Sequence, residues 1–162
     1  VSKVVTLNGI NATHICDVEV DPETGKTTIL RYTAIQDVGT AIHPSYVEGQ
    51  IQGGVAQGVG WALNEEYVYD DTAQPLTASF MDYLVPTIHE VPAIEKTEVV
   101  TPSPFSPLGA KGCGEGAIHT TPAAVMCAVN DALAALGLLA REVPASPQRL
   151  WKLLHEAGFQ YS

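Results

Sequence analysis

The chain is organised around residues 45–67, which read SYVEGQIQGGVAQGVGWALNEEY. The segment has no interior proline and no alternation of apolar and polar residues, so it is predicted to be a helix. It contains five glycines, and each costs about 1 kcal/mol relative to alanine in a helix interior. Close approach of another backbone or of a bulky ligand would offset that cost. The alternative is tight helix packing with solvent-facing glutamines. The glycines are Gly49, Gly53, Gly54, Gly58 and Gly60, and the glutamines among them are Gln50, Gln52 and Gln57.

The segments before this helix predict a β-hairpin. Residues 14–20 (HICDVEV) alternate in polarity and end at DPETGK, a turn with Pro and Gly where a hairpin needs them. The return strand is predicted at residues 27–38. Two strands therefore precede the glycine-rich helix.

The segments after this helix predict further strands and two more helices. Strands are predicted at residues 67–83 and 93–101, followed by a long loop with prolines and glycines. An apolar and therefore buried helix is predicted at residues 121–136, with Thr121 as its N-cap, Pro122 at its first position and Gly137 as its stop. A short amphipathic helix follows, capped by Ser146. The fold class predicted is α+β, with the hairpin and mixed strands packed against two long helices, in a single domain spanning residues 1–162.

Composition and charge exclude several classes of function. The 162 residues carry a formal net charge of −10 and are 46% hydrophobic, and the few Lys and Arg form no basic run. We therefore expect no nucleic-acid partner. No apolar run approaches the roughly 20 residues that a membrane span needs, so we expect no membrane partner. Because the chain opens at Val1 with no element of its own, we expect it to be a piece of a larger protein.

The cysteines and histidines do not have the spacing of a metal site. The three cysteines lie far apart without a C-x-x-C pair, and the five histidines are isolated. We predict no metal ligand in this chain. Scattered cysteines also indicate a reducing compartment, so the expected location is cytoplasmic, with the periplasm as the alternative.

A second glycine-rich stretch, residues 107–124, reads PLGAKGCGEGAIHTTPAA and places Glu115 among residues with almost no side chain. Gly112, Gly114 and Gly116 would let the backbone lie against a ligand, and the loop amides precede a helix N-terminus. In a water-poor pocket there, Glu115 could accept a proton. Lys111 could pair with a phosphate or with solvent. The simpler alternative is a tight turn with a solvated glutamate.

The two glycine-rich segments together resemble a known family. VEGQIQGGVAQGVGWALNEE, followed about 60 residues later by PLGAKGCGEGAIHTTPAAVMCAVNDAL, resembles the C-terminal part of the molybdenum-binding large subunit of the xanthine dehydrogenase and aldehyde oxidase family. The segments VEVDPETGK, QDVGTAIHP and SFMDYLVPTIHEVP fit the same pattern. The resemblance covers residues 10 to 157, and the order and spacing of the segments make it specific.

The resemblance implies a molybdenum hydroxylase, which oxidises an aldehyde, a purine or other N-heterocycle, or a related small molecule with water as the oxygen source. In this family a glutamate of the KGCGEG motif is the base toward a molybdenum-bound hydroxyl, and Glu115 matches it. Gln50 matches a glutamine that contacts the pterin. The other candidate cofactor-binding residues are Gly54, Lys111, Gly112, Cys113 and Gly114. Where many relatives have Asn, this chain has His43, so that contact is not implied.

The resemblance also implies the cofactors and partners. The cofactor is the molybdenum–pterin, as molybdopterin or its cytosine dinucleotide form. The remaining molybdenum-binding portion is expected from a partner, together with iron–sulfur and flavin (FAD) subunits or domains, because this chain has none of their motifs. Two alternatives remain open: a catalytically silent isolated domain, and an unrelated module that binds a nucleotide or anion.

Overall fold

A computed structural model describes residues 9–159 of the chain. The fold is α+β, and its elements are a hairpin, a helix, a third strand and two helices, which is the predicted order without the strand expected at residues 67–83. They are β1 (Asn11–Val20), β2 (Thr27–Asp37), α1 (Pro44–Leu63), β3 (Ile94–Val99), α2 (Gly116–Ala134) and α3 (Pro147–Glu156).

The three strands form one mixed sheet in the order β1-β2-β3. β1 and β2 pair antiparallel across the turn at residues 21–26, while β2 and β3 pair parallel. β2 is therefore the central strand. Its core-facing side chains include Tyr32, Ala34 and Gln36, all fully buried.

The two long helices pack on each other, and α2 also packs on β1. Gly54 and Gly58 make the helix contact possible. A Cβ on Gly54 would lie 2.8 Å from the Cβ of Ala117, and one on Gly58 would overlap Thr121. The glycines thus allow the close approach of a second element that the sequence suggested, and buried valines fill the rest of the contact.

Helix α2 begins five residues earlier than predicted. Thr121 and Pro122 were expected to open the helix, but both lie inside it, and Glu115 is the N-cap residue. The Thr121 hydroxyl donates to the carbonyl oxygen of Ala117 at 2.8 Å, within the helix. Packing of Ala117 and Thr121 against the α1 glycines outweighs the usual preference of Pro for a first turn.

The predicted strand at residues 67–83 is wrong. This segment contains only an isolated bridge between Tyr69 and Pro75. The carboxylate of Asp70 accepts hydrogen bonds from the N–H groups of Thr72 and Gln74, which bends the chain into a turn. A local turn around Asp70 therefore stands where a strand was predicted.

Candidate functional site

The exposed side of α1 and the glycine-rich loop form one continuous surface. Gly49, Gln50 and Gly53 are exposed on α1, and nothing lies within 4 Å of the position of a Cβ on Gly49 or Gly53. The same is true of Gly112 in the loop, and the Cβ position of Gly114 lies 3.8 Å from Gln50 Oε1. We call this surface, formed by Gly49, Gln50, Gly53, Gly112 and Gly114, the glycine wall.

Glu115 lies at the end of the glycine wall, as the N-cap residue of α2. Its side chain is exposed and makes no hydrogen bond that caps the helix. Residues 9–159 therefore do not provide the water-poor pocket expected around this carboxylate. A pocket of that kind requires a second surface facing the glycine wall.

Lys111 is engaged in a nearly buried ion pair. Its Nζ lies 2.6 Å from Asp37 Oδ2, and the side chains of Lys111 and Asp37 are 9% and 4% exposed. Burial by itself raises the pKa of Asp37, but hydrogen bonds from Lys111 and from the N–H groups of Gly39 and Thr101 outweigh it and hold the pKa below its usual value. Lys111 thus neither faces solvent nor offers a free ammonium to a phosphate.

Gly54 lies in the contact between α1 and α2, and not on the glycine wall. It is buried, and Ala117 occupies the space beside it. This packing accounts for the glycine without a ligand. The residues of α1 that remain available for a cofactor are those of its exposed side.

A small cleft lies next to Gln50, between the β2–α1 connection and residues 110–113. Its volume is about 200 Å³, and Cys113 and Val47 line it together with Gln50. The ring of His43 stacks on Tyr46 at this cleft, with ring centroids 4.0 Å apart. The volume suits one small chemical group and not a whole pterin.

A series of polar contacts connects β1 and β2 to the first turns of α2. Tyr32 donates from its hydroxyl to Thr121 Oγ1 at 2.9 Å, and His14 Nδ1 lies 2.7 Å from the same Tyr32 oxygen. Burial lowers the pKa of His14 and raises that of Tyr32. Both side chains are therefore neutral near pH 7, and these hydrogen bonds link β1, β2 and α2 without a net charge.

Two polar residues at the end of β2 were not identified from the sequence. Asp37 is the partner of Lys111, and Gln36 is fully buried although neither atom of its amide has a hydrogen-bond partner among the described residues. The signal was present, because the polar pair Gln36 and Asp37 directly follows the apolar Ala34 and Ile35 at the end of the strand. Their contacts reach residues more than 70 positions away, and a linear pattern does not show them.

Within residues 9–159, no three His, Cys, Asp or Glu side chains are placed to hold a metal ion. Among the same residues, no helix has the length and apolarity needed to cross a membrane.

The glycine wall and the exposed Glu115 carboxylate form a surface with few side chains. Comparison with known proteins gives the class. Residues 5–92 match the family model described as a molybdopterin cofactor-binding domain. The chain belongs to this family, in the portion found in the large subunits of molybdenum hydroxylases.

Three relatives illustrate the similarity. The chain is 42% identical over 140 residues to the nicotine 6-hydroxylase large subunit of Paenarthrobacter nicotinovorans, covering 86% of this chain and 17% of that protein. It is 40% identical over 147 residues to the carbon monoxide dehydrogenase large chain of Hydrogenophaga pseudoflava, covering 88% and 18%. The crystal structure of quinoline 2-oxidoreductase from Pseudomonas putida 86 superposes with a TM-score of 0.88 at 46% identity, covering 91% of this chain and 19% of that one.

These relatives are oxidoreductases, and they are subunits of larger complexes. The chain spans less than a fifth of the length of the relatives it matches. The similarity therefore assigns the family and the fold, and it leaves the reaction of the whole protein to be argued from the residues.

Proposed function

We propose that this chain provides one wall of the active site of a molybdenum hydroxylase, with Glu115 as the general base. The observation that carries the proposal is the glycine wall itself, which has open space at Gly53 and Gly112, the Gln50 amide beside Gly114, and Glu115 at its end. Membership of the molybdopterin cofactor-binding domain family supports it over an unrelated nucleotide- or anion-binding module.

The residues present fit a molybdenum–pterin cofactor. A flat, polyfunctional ring system needs a surface without side chains, and the absent side chains of Gly53 and Gly112 supply it. The exposed Gln50 amide offers both a donor and an acceptor to a pterin. When bound, the cofactor supplies the redox chemistry, with the cytosine dinucleotide form as one candidate.

Each residue of the chain then has a limited task. Gln50 orients the cofactor edge by hydrogen bonds, and the missing side chains of Gly112 and Gly114 allow close approach. Cys113 lines the small cleft beside Gln50 and excludes water there. The Lys111–Asp37 ion pair fixes the loop to β2. Glu115 accepts the proton from the hydroxyl nucleophile that adds to the substrate carbon, through a carboxylate oxygen.

The site is complete only with a second wall. Glu115 is exposed in this chain, and a general base is more effective where water is excluded. The remaining molybdenum-binding portion supplies that wall in the proposed assembly, and iron–sulfur and flavin partners accept the electrons. The substrate class is an aldehyde, an N-heterocycle or another small carbon substrate, since relatives with such names share this portion.

Glu115→Gln in the assembled enzyme tests the role of the base. The amide keeps the size and most of the hydrogen bonding of the side chain but cannot accept the proton, so kcat should fall by roughly 10² or more. Molybdenum content, measured on the same preparation, should stay at the wild-type level. The matched control is Glu23→Gln in the hairpin turn, which is exposed and lies at the far end of the sheet.

A structural role of Glu115 gives the opposite pattern. Glu115→Gln would then turn over at the wild-type rate, or it would lose stability and molybdenum together. Either result would leave the glycine wall as a binding surface without a base.

A further inference from the structure

Gln36 has an environment that folding alone does not explain. It is the last core-facing residue of β2 and is 0% exposed, yet neither Nε2 nor Oε1 has a hydrogen-bond partner among residues 9–159. Burying a carboxamide without partners is unfavourable, whereas an apolar side chain of the same size would have no such penalty. A residue with this penalty needs a compensating role.

The Gln36 amide lies against Gly116, the first residue of α2. It occupies the space that a Cβ on Gly116 would fill, and its Cδ lies 2.9 Å from that position. Ile10 borders the same space, with Cδ1 at 3.1 Å. The absence of a side chain at Gly116 therefore brings the Gln36 amide up to the backbone of the residue that follows Glu115.

The Glu115 carboxylate is a hydrogen-bond acceptor close in sequence to Gly116, and it has no partner of its own. Its carboxylate makes no hydrogen bond or ion pair with a described residue, and it does not cap α2. An unmatched donor at Gln36 and an unmatched acceptor at Glu115 thus lie on two sides of Gly116. In the open chain, water competes for the exposed carboxylate, and this competition ends where a second wall excludes water.

We propose that Gln36 is a positioning residue, whose Nε2 donates a hydrogen bond to the Glu115 carboxylate when that side chain turns from solvent toward the space beside Gly116. This inference rests on the proposed function of Glu115 as the base. The hydrogen bond fixes which carboxylate oxygen faces the reacting proton. It also stabilises the ionised form in a site of low polarity.

The test uses Gln36→Met and Gln36→Leu in the assembled holoenzyme. Both replacements are apolar and of similar size, so they remove the donor and leave the core filled. We expect kcat to fall about tenfold or more, which is the usual effect of losing a partner that orients a reactive group. KM and molybdenum content should stay unchanged, and the thermal midpoint should stay equal or rise, because the unpaired amide is gone.

A coupling measurement separates positioning from packing. In a Glu115→Gln background, Gln36→Met should lower kcat no further, because the carboxylate that Gln36 orients is already absent. The control is Ile29→Met, on the same core-facing side of β2, which should leave kcat at the wild-type value in both backgrounds.

Three results would overturn the inference. They are wild-type kcat in both Gln36 variants, an equal loss with and without Glu115, and loss of molybdenum or thermal stability in both variants. If Glu115→Gln is impaired while Gln36→Met is not, only the role of Gln36 falls. If Glu115→Gln itself turns over normally, the result contradicts both the proposed function and the role of Gln36.

Discussion

The Lys111–Asp37 ion pair joins the glycine-rich loop to the end of β2, two segments that are 74 residues apart. Both side chains are nearly buried, and Asp37 also accepts hydrogen bonds from the N–H groups of Gly39 and Thr101. Removing one member of such a pair leaves the other charge buried and unpaired. The pair therefore holds the loop in place as long as both charges are present.

Lys111→Met should lower the free energy of unfolding of the chain by about 3 kcal/mol. The double variant Lys111→Met with Asp37→Asn should recover most of that loss, since no buried charge remains and the amide oxygen can still accept the hydrogen bonds from Gly39 and Thr101. Urea unfolding of the wild type, both single variants and the double variant measures the coupling. Additive losses would show that the two charges do not interact, and Lys26→Met in the exposed turn serves as the surface control.

The pH dependence of the same variants provides a second check. Hydrogen bonds hold the pKa of Asp37 in the folded chain below that of an unfolded aspartate, so its stabilising effect is present above the unfolded pKa and is lost as pH falls through the folded pKa. The free energy of unfolding of the wild type should therefore decline between about pH 5 and pH 3. Lys111→Met should show a smaller decline, because its Asp37 has lost the hydrogen bond that lowers the pKa.

At the scale of elements, helix α1 has glycines on two sides with different neighbours. Gly54 and Gly58 lie against α2, where a Cβ would overlap Ala117 or Thr121. Gly49 and Gly53 are exposed and have open space at the Cβ position. The first pair is explained by packing. The second pair offsets none of its helix penalty by packing, and under the proposed function its open space is part of the cofactor surface.

Gly53→Ala and Gly58→Ala should therefore change stability in opposite directions. Gly53→Ala should raise the free energy of unfolding by up to about 1 kcal/mol, the difference in helix propensity. Gly58→Ala should lower it by about 1–3 kcal/mol, the usual effect of overpacking. In the assembled enzyme, Gly53→Ala should nevertheless reduce molybdenum content. Equal stability changes in the two variants would contradict this division of α1.

The sequence predicted elements better than it predicted the contacts between them. The helix expected at residues 45–67 is α1, Pro44–Leu63, because its pattern is long and its limits are local. The start of α2 was placed wrongly. Packing against Gly54 and Gly58 extends the helix on the N-terminal side of Pro122, so that it begins at Gly116. The Asp37 partner of Lys111 and the buried Gln36 amide depend on tertiary contacts, which no local pattern contains.

At the scale of the molecule, residues 67–92 form an arm that exposes several large apolar side chains, while Tyr83 contacts Glu65 and Pro86 lies beside Gly60. Phe80 and Met81 are each 89% exposed and Ile88 is 86% exposed. Large apolar side chains this exposed mark a surface for another protein segment. Under the proposed function, that segment belongs to the remaining molybdenum-binding portion of the large subunit.

Amide hydrogen exchange should show whether the arm is covered in the assembled enzyme and uncovered in the chain alone. In the chain alone, the arm makes few backbone hydrogen bonds beyond local turns, so its amides should exchange rapidly. In the assembled enzyme, contact at Phe80 and Ile88 should slow exchange across residues 78–90 at least tenfold, because burial excludes water from these amides. The interior of α2 around Val125 and Val129 is buried in this chain already and should exchange slowly in both samples, which provides the internal reference. Equal exchange of the arm in both samples would show that its apolar side chains stay exposed, and the second wall of the site would then have to reach the glycine wall without contacting the arm.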